Sequence, residues 1–188
     1  MAETDKVPLI LVTGGARSGK SRFAEQYVER IAEATGRPVA YIATAEALDG
    51  EMKERIALHR ERRPETWQTY EEPSHVDGLL ARLPREAIVL VDCLALLVSN
   101  WIVHDELDTS TLTVKMDALC QALCARMSTT VVVTNEVGLG IVPGNALSRQ
   151  YRDSLGLLNG RVAALSRQVI LTVAGIPIDL RKLEVPLP

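Results

Sequence analysis

The sequence predicts a doubly wound α/β fold, a mostly parallel sheet with helices on both faces. Three observations predict it. Five short runs, at 9–13, 39–43, 88–92, 130–135 and 169–173, are nearly continuous in apolar and β-favouring residues rather than alternating. That is the pattern of strands buried on both faces. The stretches between them are long enough for crossover helices, and an alternation of strand and helix builds a layered α/β domain. Glycine and proline fall where turns are needed, as in Gly36-Arg37-Pro38 before the second run and Pro143-Gly144 before the last helical pattern.

The elements follow in order. The first run, Leu9-Ile10-Leu11-Val12-Thr13, passes through a glycine-rich turn into a helical pattern over 20–34. After the second run comes a helical pattern over 51–62, which Pro64 ends because the residue before a proline avoids the helical region. A helix over 75–82 precedes the third run, Ile88-Val89-Leu90-Val91-Asp92, and a helix over 111–127 precedes the fourth. A helix over 146–166 leads to the fifth. No repeat or low-complexity linker divides the chain, so residues 1–188 read as one domain with extended tails at 1–7 and 184–188. A chain of 188 residues is long enough to bury roughly 70% of its unfolded surface.

Composition excludes several classes. The content, 47% hydrophobic and 24% charged, is that of an ordinary globular protein. The net charge of -3, from 21 basic and 24 acidic residues, leaves no global positive field for a nucleic-acid backbone. Cys93, Cys120 and Cys124 make no disulfide framework. Cys120 and Cys124 fall on one helical face and read as core packing, and without a suitably spaced histidine they are not a zinc site. No apolar run approaches the roughly 20 residues that span a bilayer. The polar start at 1–7, with Glu3, Asp5 and Lys6, is not a signal peptide. A cytoplasmic enzyme is the expectation.

The turn after the first run carries chemistry. Gly14-Gly15-Ala16-Arg17-Ser18-Gly19-Lys20-Ser21 fits G-x-x-x-x-G-K-[ST], the Walker A phosphate loop, at every fixed position, between a strand and a helix. Its glycines let backbone N–H groups converge on phosphate oxygens, and the helix start adds its positive dipole end. Lys20 is expected to reach the β- and γ-phosphates of GTP or ATP, and the Ser21 hydroxyl to bind Mg²⁺. Asp92, at the end of a buried strand, is the expected acid that orients the same Mg²⁺, directly or through water; a helix N-cap is the alternative. Glu136, after Val131-Val132-Val133-Thr134-Asn135, is a second acid that could bind metal or substrate. The fold is thereby P-loop NTPase-like, of the RecA-like doubly wound kind, with ligands at the carboxyl ends of the strands.

His59 lies in a basic helical segment in which Arg55, His59 and either Arg62 or Arg63 share a face. Neighbouring cations disfavour the charged imidazole, and a neutral imidazole is what a nucleophile needs. The same arginines could pair with phosphate oxygens. On chemistry alone a solvated basic helix explains the segment as well. His75 and His104 lack such surroundings and read as surface or capping residues.

Further segments carry a resemblance. They are Thr13 to Arg22 around the loop; Tyr41-Ile42-Ala43-Thr44-Ala45; Asp49-Gly50-Glu51-Met52 with Arg55-Ile56 and His59; then Arg63-Pro64, Trp67, Thr69, Glu71 and Pro73. Later come Asp92-Cys93-Leu94, Asn100-Trp101, the stretch Thr134-Asn135-Glu136-Val137-Gly138-Leu139-Gly140-Ile141-Val142-Pro143, and Gly175-Ile176-Pro177. In this ordered combination the chain resembles the bifunctional adenosylcobinamide kinase/adenosylcobinamide-phosphate guanylyltransferases of cobalamin biosynthesis. The resemblance implies a kinase that phosphorylates the aminopropanol hydroxyl of adenosylcobinamide with ATP or GTP. It also implies a guanylyltransferase in which His59 takes GMP from GTP, releases pyrophosphate and passes GMP to adenosylcobinamide phosphate. It implies nucleotide contacts at 14–21, at Ala43, Thr44 and Ala45, at Arg60, Glu61, Arg62 and Arg63, and at Glu71 and Asp92, with Lys20 and His59 catalytic. A homotrimer is implied as well. Where some family members have a second histidine beside the nucleophile, this chain has Leu58, and the segment 144–168 matches less tightly, so no substrate residue is placed there.

Two other readings remain open at this level. A monofunctional P-loop kinase would share the loop, Mg²⁺ and Asp92, with His59 structural. A nucleotide-gated interaction module would bind GTP or ATP without small-molecule transfer. A switch GTPase carries an Asn-Lys-x-Asp guanine signature, which this sequence lacks, and Asn135-Glu136 does not replace it.

Overall fold

Parallel pairing of the apolar runs builds the middle of a seven-stranded sheet, with β1 (Leu9–Gly14), β2 (Val39–Ala43), β3 (Gln68–Glu71), β4 (Ile88–Asp92), β5 (Thr130–Val133), β6 (Gln168–Val173) and β7 (Ile176–Asp179) in the order β3-β2-β4-β5-β1-β6-β7. The computed structural model describes residues 8–46, Gly50 and 63–185. The helices are α1 (Lys20–Thr35), α2 (Val76–Arg82), α3 (Leu94–Val103), α4 (Thr109–Cys124) and α5 (Ala146–Leu165), with a short 3-10 turn at Leu180–Leu183. The expected helix over 51–62 lies outside the described residues.

All neighbours pair in parallel except β6 and β7. From β1 to β3 the chain steps toward one edge of the sheet, and from β3 to β6 it steps back toward the other. Right-handed crossovers run in opposite directions place their helices on opposite faces. Accordingly α1 packs on β1, β4 and β5, while α2 packs on α4, and α3 and α4 both pack on α5. The central strands β1, β2, β4 and β5 are buried along their lengths. Among the described residues, no helix is long and apolar enough to cross a membrane.

The differences from the expected elements have physical causes. β3 reads Gln-Thr-Tyr-Glu, a polar four-residue edge strand without an apolar run. β7 carries Pro177 and is likewise an exposed edge, and short or proline-bearing strands are how sheets blunt their edges. Its hairpin turns through Ala174 and Gly175, at φ 51 and 82. These are the positive angles of a tight two-residue turn, but Ala-Gly is not its usual sequence signal. α3, Leu-Ala-Leu-Leu-Val-Ser-Asn-Trp-Ile-Val, is buried nearly all round, so it lacks the polar face that marks a surface helix. α4 begins two residues before the expected 111, because the Asp108 carboxylate accepts from the Thr111 N–H and caps it there, and it ends at Cys124 rather than 127. The strand expected over 130–135 ends at Val133.

Candidate active site

The phosphate loop sits where β1 hands over to α1. Gly14 lies beside Thr172 of β6, and a Cβ there would come within 2.5 Å of Ser18 Oγ and of both oxygens of Thr172. Only glycine fits. Arg17 at φ 54 and Gly19 at φ 92 then turn the chain back. Gly19 is the N-cap of α1 and no side chain caps the helix. The first-turn N–H groups and the positive dipole end are therefore presented to the loop without a competing side-chain acceptor, the arrangement that binds anions. Lys20 Nζ donates to Gly15 O at 3.1 Å. Burial holds its ammonium below the ordinary lysine range, against the opposing pull of Cys93 and Asp92.

β4 brings Asp92 to the same place. Ser21 Oγ donates to Asp92 Oδ1 at 3.4 Å, and the buried Tyr41 hydroxyl donates to Asp92 Oδ2 at 2.9 Å. Asp92 does not cap α3; that position falls to Cys93, without a side-chain bond. The phenol of Tyr41 is pushed above its ordinary range by burial first and by Asp92 second. It therefore stays a donor at neutral pH. Arg63 covers the Tyr41 ring, with Cζ 3.5 Å from the centroid, and Trp67 stacks at 6.4 Å. Cys93 is buried and its thiol is pushed up to about 12 by burial, so it is no thiolate nucleophile.

The ends of β2 and β3 lie level with Asp92, since Ala43 pairs in register with both Asp92 and Glu71. Thr44 is locked to this edge. Its hydroxyl accepts from Cys93 N–H at 2.8 Å and donates to Cys93 O at 2.7 Å, while its own N–H donates to Asp92 O. Asn100 donates to Thr44 O and Pro73 O, and Trp101 Nε1 donates to Ser74 O. These two residues are thus explained as braces of the loops at the strand ends. Glu136 comes beside the phosphate loop through its N–H, which donates to Gly14 O, but its carboxylate is taken by the Gly138 N–H at 2.6 Å.

The structure therefore gathers the loop 14–21, Asp92, Ala43, Thr44, Ala45 and Glu71 at the carboxyl edge of the sheet, where ligands bind in open α/β folds. His59, Arg60, Glu61 and Arg62 lie outside the described residues, and Arg63 is the described end of that segment. Sequence reasoning gave no role to Tyr41 or Thr172. Tyr41 was legible only as part of a stretch carrying the resemblance, and Thr172 only as a polar residue interrupting an apolar strand. Two cavities, of about 360 Å³ beside Tyr27, Arg167 and Arg181 and about 470 Å³ beside Arg37, Pro64 and Trp67, lie at the amino edge, away from this chemistry.

Known proteins resemble this chain over most of its length. The family model described as cobinamide kinase / cobinamide phosphate guanyltransferase matches residues 10–180. The bifunctional adenosylcobalamin biosynthesis protein CobP of Pseudomonas aeruginosa is 46% identical over 175 residues, covering 91% of this chain and 96% of that protein. The bifunctional adenosylcobalamin biosynthesis protein CobU of Escherichia coli is 41% identical over 185 residues, covering 92% and 99%. Among solved structures, a KaiC-like protein of Pyrococcus horikoshii superposes on 87% of this chain and 69% of its own, with a TM-score of 0.49 and 18% identity.

Proposed function

The chain belongs to the cobinamide kinase / cobinamide phosphate guanyltransferase family, and from that premise we propose that it makes adenosylcobinamide-GDP in two successive transfers. It is an enzyme of the transferase class. In the first transfer the aminopropanol hydroxyl of adenosylcobinamide attacks the γ-phosphorus of ATP or GTP. The bond to the β-bridging oxygen breaks, and the nucleoside diphosphate leaves. In the second, a ring nitrogen of His59 attacks the α-phosphorus of GTP and expels pyrophosphate. A phosphate oxygen of adenosylcobinamide phosphate then takes the GMP and frees the histidine.

The arrangement of the phosphate loop with Ser21 and Asp92 carries this reading. Backbone N–H groups from Gly14 through Ser21 hold the phosphates, and Lys20 offsets charge on the transferred group. Ser21 Oγ and Asp92 Oδ1, 3.4 Å apart, are the hard oxygen donors that Mg²⁺ takes together with substrate phosphates. They fit that ion, which would there neutralise phosphate charge. Tyr41 keeps Asp92 turned toward Ser21. Arg63, the described end of the basic segment, covers the ring of the same Tyr41. Arg60, Glu61, Arg62, Arg63 and Glu71 are assigned to the nucleotide, and Ala43, Thr44 and Ala45 to the edge against which it rests. A cytoplasmic homotrimer completes the proposal, and light scattering would read the trimer mass.

The test uses GTP labelled at the α-phosphate. The wild type with Mg²⁺ is expected to take up acid-labile, alkali-stable label, the pattern of a phosphoramidate, and His59→Ala none. His59→Ala is expected still to phosphorylate adenosylcobinamide. Absence of label on wild type that demonstrably binds GTP would remove His59 from the mechanism and leave a plain kinase.

A further inference from the structure

The loop after β5 is held at both ends and yet turns its apolar residues outward. At its start Glu136 donates its N–H to Gly14 O and accepts from the Gly138 N–H, and Asn159 of α5 donates to Asn135 O. At its end Arg149 Nη1 donates to Pro143 O at 3.0 Å and Gly144 O at 2.7 Å. Between these anchors Leu139 is 91% exposed, Ile141 96% and Val142 61%. Three large aliphatic side chains held in water by a pinned loop mark a binding surface rather than a stray exposed residue. The Glu136–Gly14 bond roots this surface directly beside the phosphate loop.

We infer that Leu139, Ile141 and Val142 form the lip on which the corrin ring of the acceptor docks. The inference rests on the kinase reading of the same site. A kinase acceptor must bring its hydroxyl to the γ-phosphate, so the bulk of so large an acceptor has to lie along the carboxyl edge of the sheet. A corrin ring is rimmed with methyl groups and amide arms. Its methyl-studded rim suits an aliphatic lip, and its amides suit the open backbone at Gly140. A second copy of the chain is the weaker occupant for this patch. Three side chains, each smaller than the aromatics that bury roughly 150–250 Å², fall short of the roughly 800 Å² per partner that a stable interface takes.

The experiment compares wild type with Leu139→Ser/Ile141→Ser and with the conservative Ile141→Val. The rate of adenosylcobinamide phosphorylation is followed against acceptor and against nucleotide, and each protein's mass is measured by light scattering. The double variant is expected to raise the acceptor KM tenfold or more, leave the nucleotide KM and kcat within about twofold, and keep the wild-type mass. Ile141→Val is expected to stay near wild type. An unchanged acceptor KM overturns the lip while leaving the kinase reading intact. A changed mass with parallel loss toward both substrates overturns it in favour of a contact between copies. No phosphorylated product from wild type removes the kinase reading and the lip together.

Discussion

Thr172 shows how a residue outside a motif shapes it. Its hydroxyl donates to Thr13 O at 3.2 Å. A hydroxyl has one proton to give, so the 2.8 Å bond to Ser18 Oγ is donated by Ser18. The same residue fills the space that a side chain on Gly14 would need, and Gly175 N–H donates to Ser18 O at 3.0 Å. The β6–β7 turn thus clamps the phosphate loop from behind. Thr172→Val keeps the volume and loses both bonds, about 0.5–1.5 kcal/mol each. It is expected to raise the nucleotide KM roughly 5- to 150-fold, while Thr172→Ser stays close to wild type. Steady-state kinetics on both variants checks this, and equal effects from the two would show that packing rather than the hydroxyl matters.

Among the elements, α2 and the turn after it depend on a side chain just beyond the end of α4. The Arg126 guanidinium is buried and donates to the carbonyls of Leu80, Leu83, Pro84 and Ala87 at 2.7–3.4 Å. It takes up the orphan carbonyls at the end of α2 and fixes the entry into β4, the strand that delivers Asp92. Arg126→Met leaves these acceptors buried without the donor and is expected to cost about 2–3 kcal/mol, read as a lowered denaturant midpoint with an unchanged slope. A buried arginine in this role was not legible in Cys-Ala-Arg-Met, because its acceptors come from residues some 40 positions earlier. α3 was missed for a different reason: its apolar residues face the sheet, α5 and the loops at once, so no stripe marks it.

At the scale of the whole molecule, the sheet order places β1 between β5 and β6, so the phosphate loop is walled by Glu136 on one side and Thr172 on the other. On the proposed function, nucleotide would bind there to the folded state alone and so stabilise it. At a hundred times its Kd, GTP with Mg²⁺ is expected to add about 2.7 kcal/mol, a rise in Tm of roughly 5–10 °C for a chain of this size. Removing Mg²⁺ with a chelator is expected to shrink that rise, and Lys20→Ala to abolish most of it, while the Tm without nucleotide barely moves. A thermal shift untouched by Lys20→Ala would place the nucleotide elsewhere.

The sequence by itself determined the parallel core, the phosphate loop and Asp92. The first shows in apolar runs, the second in a local motif, and the third in the residue that ends a run. Each signal lies within a few neighbouring residues, where periodicity and backbone freedom are readable. Only the tertiary structure decided that Tyr41 holds Asp92, that Thr172 braces Gly14 and Ser18, that Arg126 closes α2, and that Glu136 is bonded to Gly14. These are contacts between segments distant in sequence. Their geometry is set by strand order and crossover direction, which local patterning does not contain.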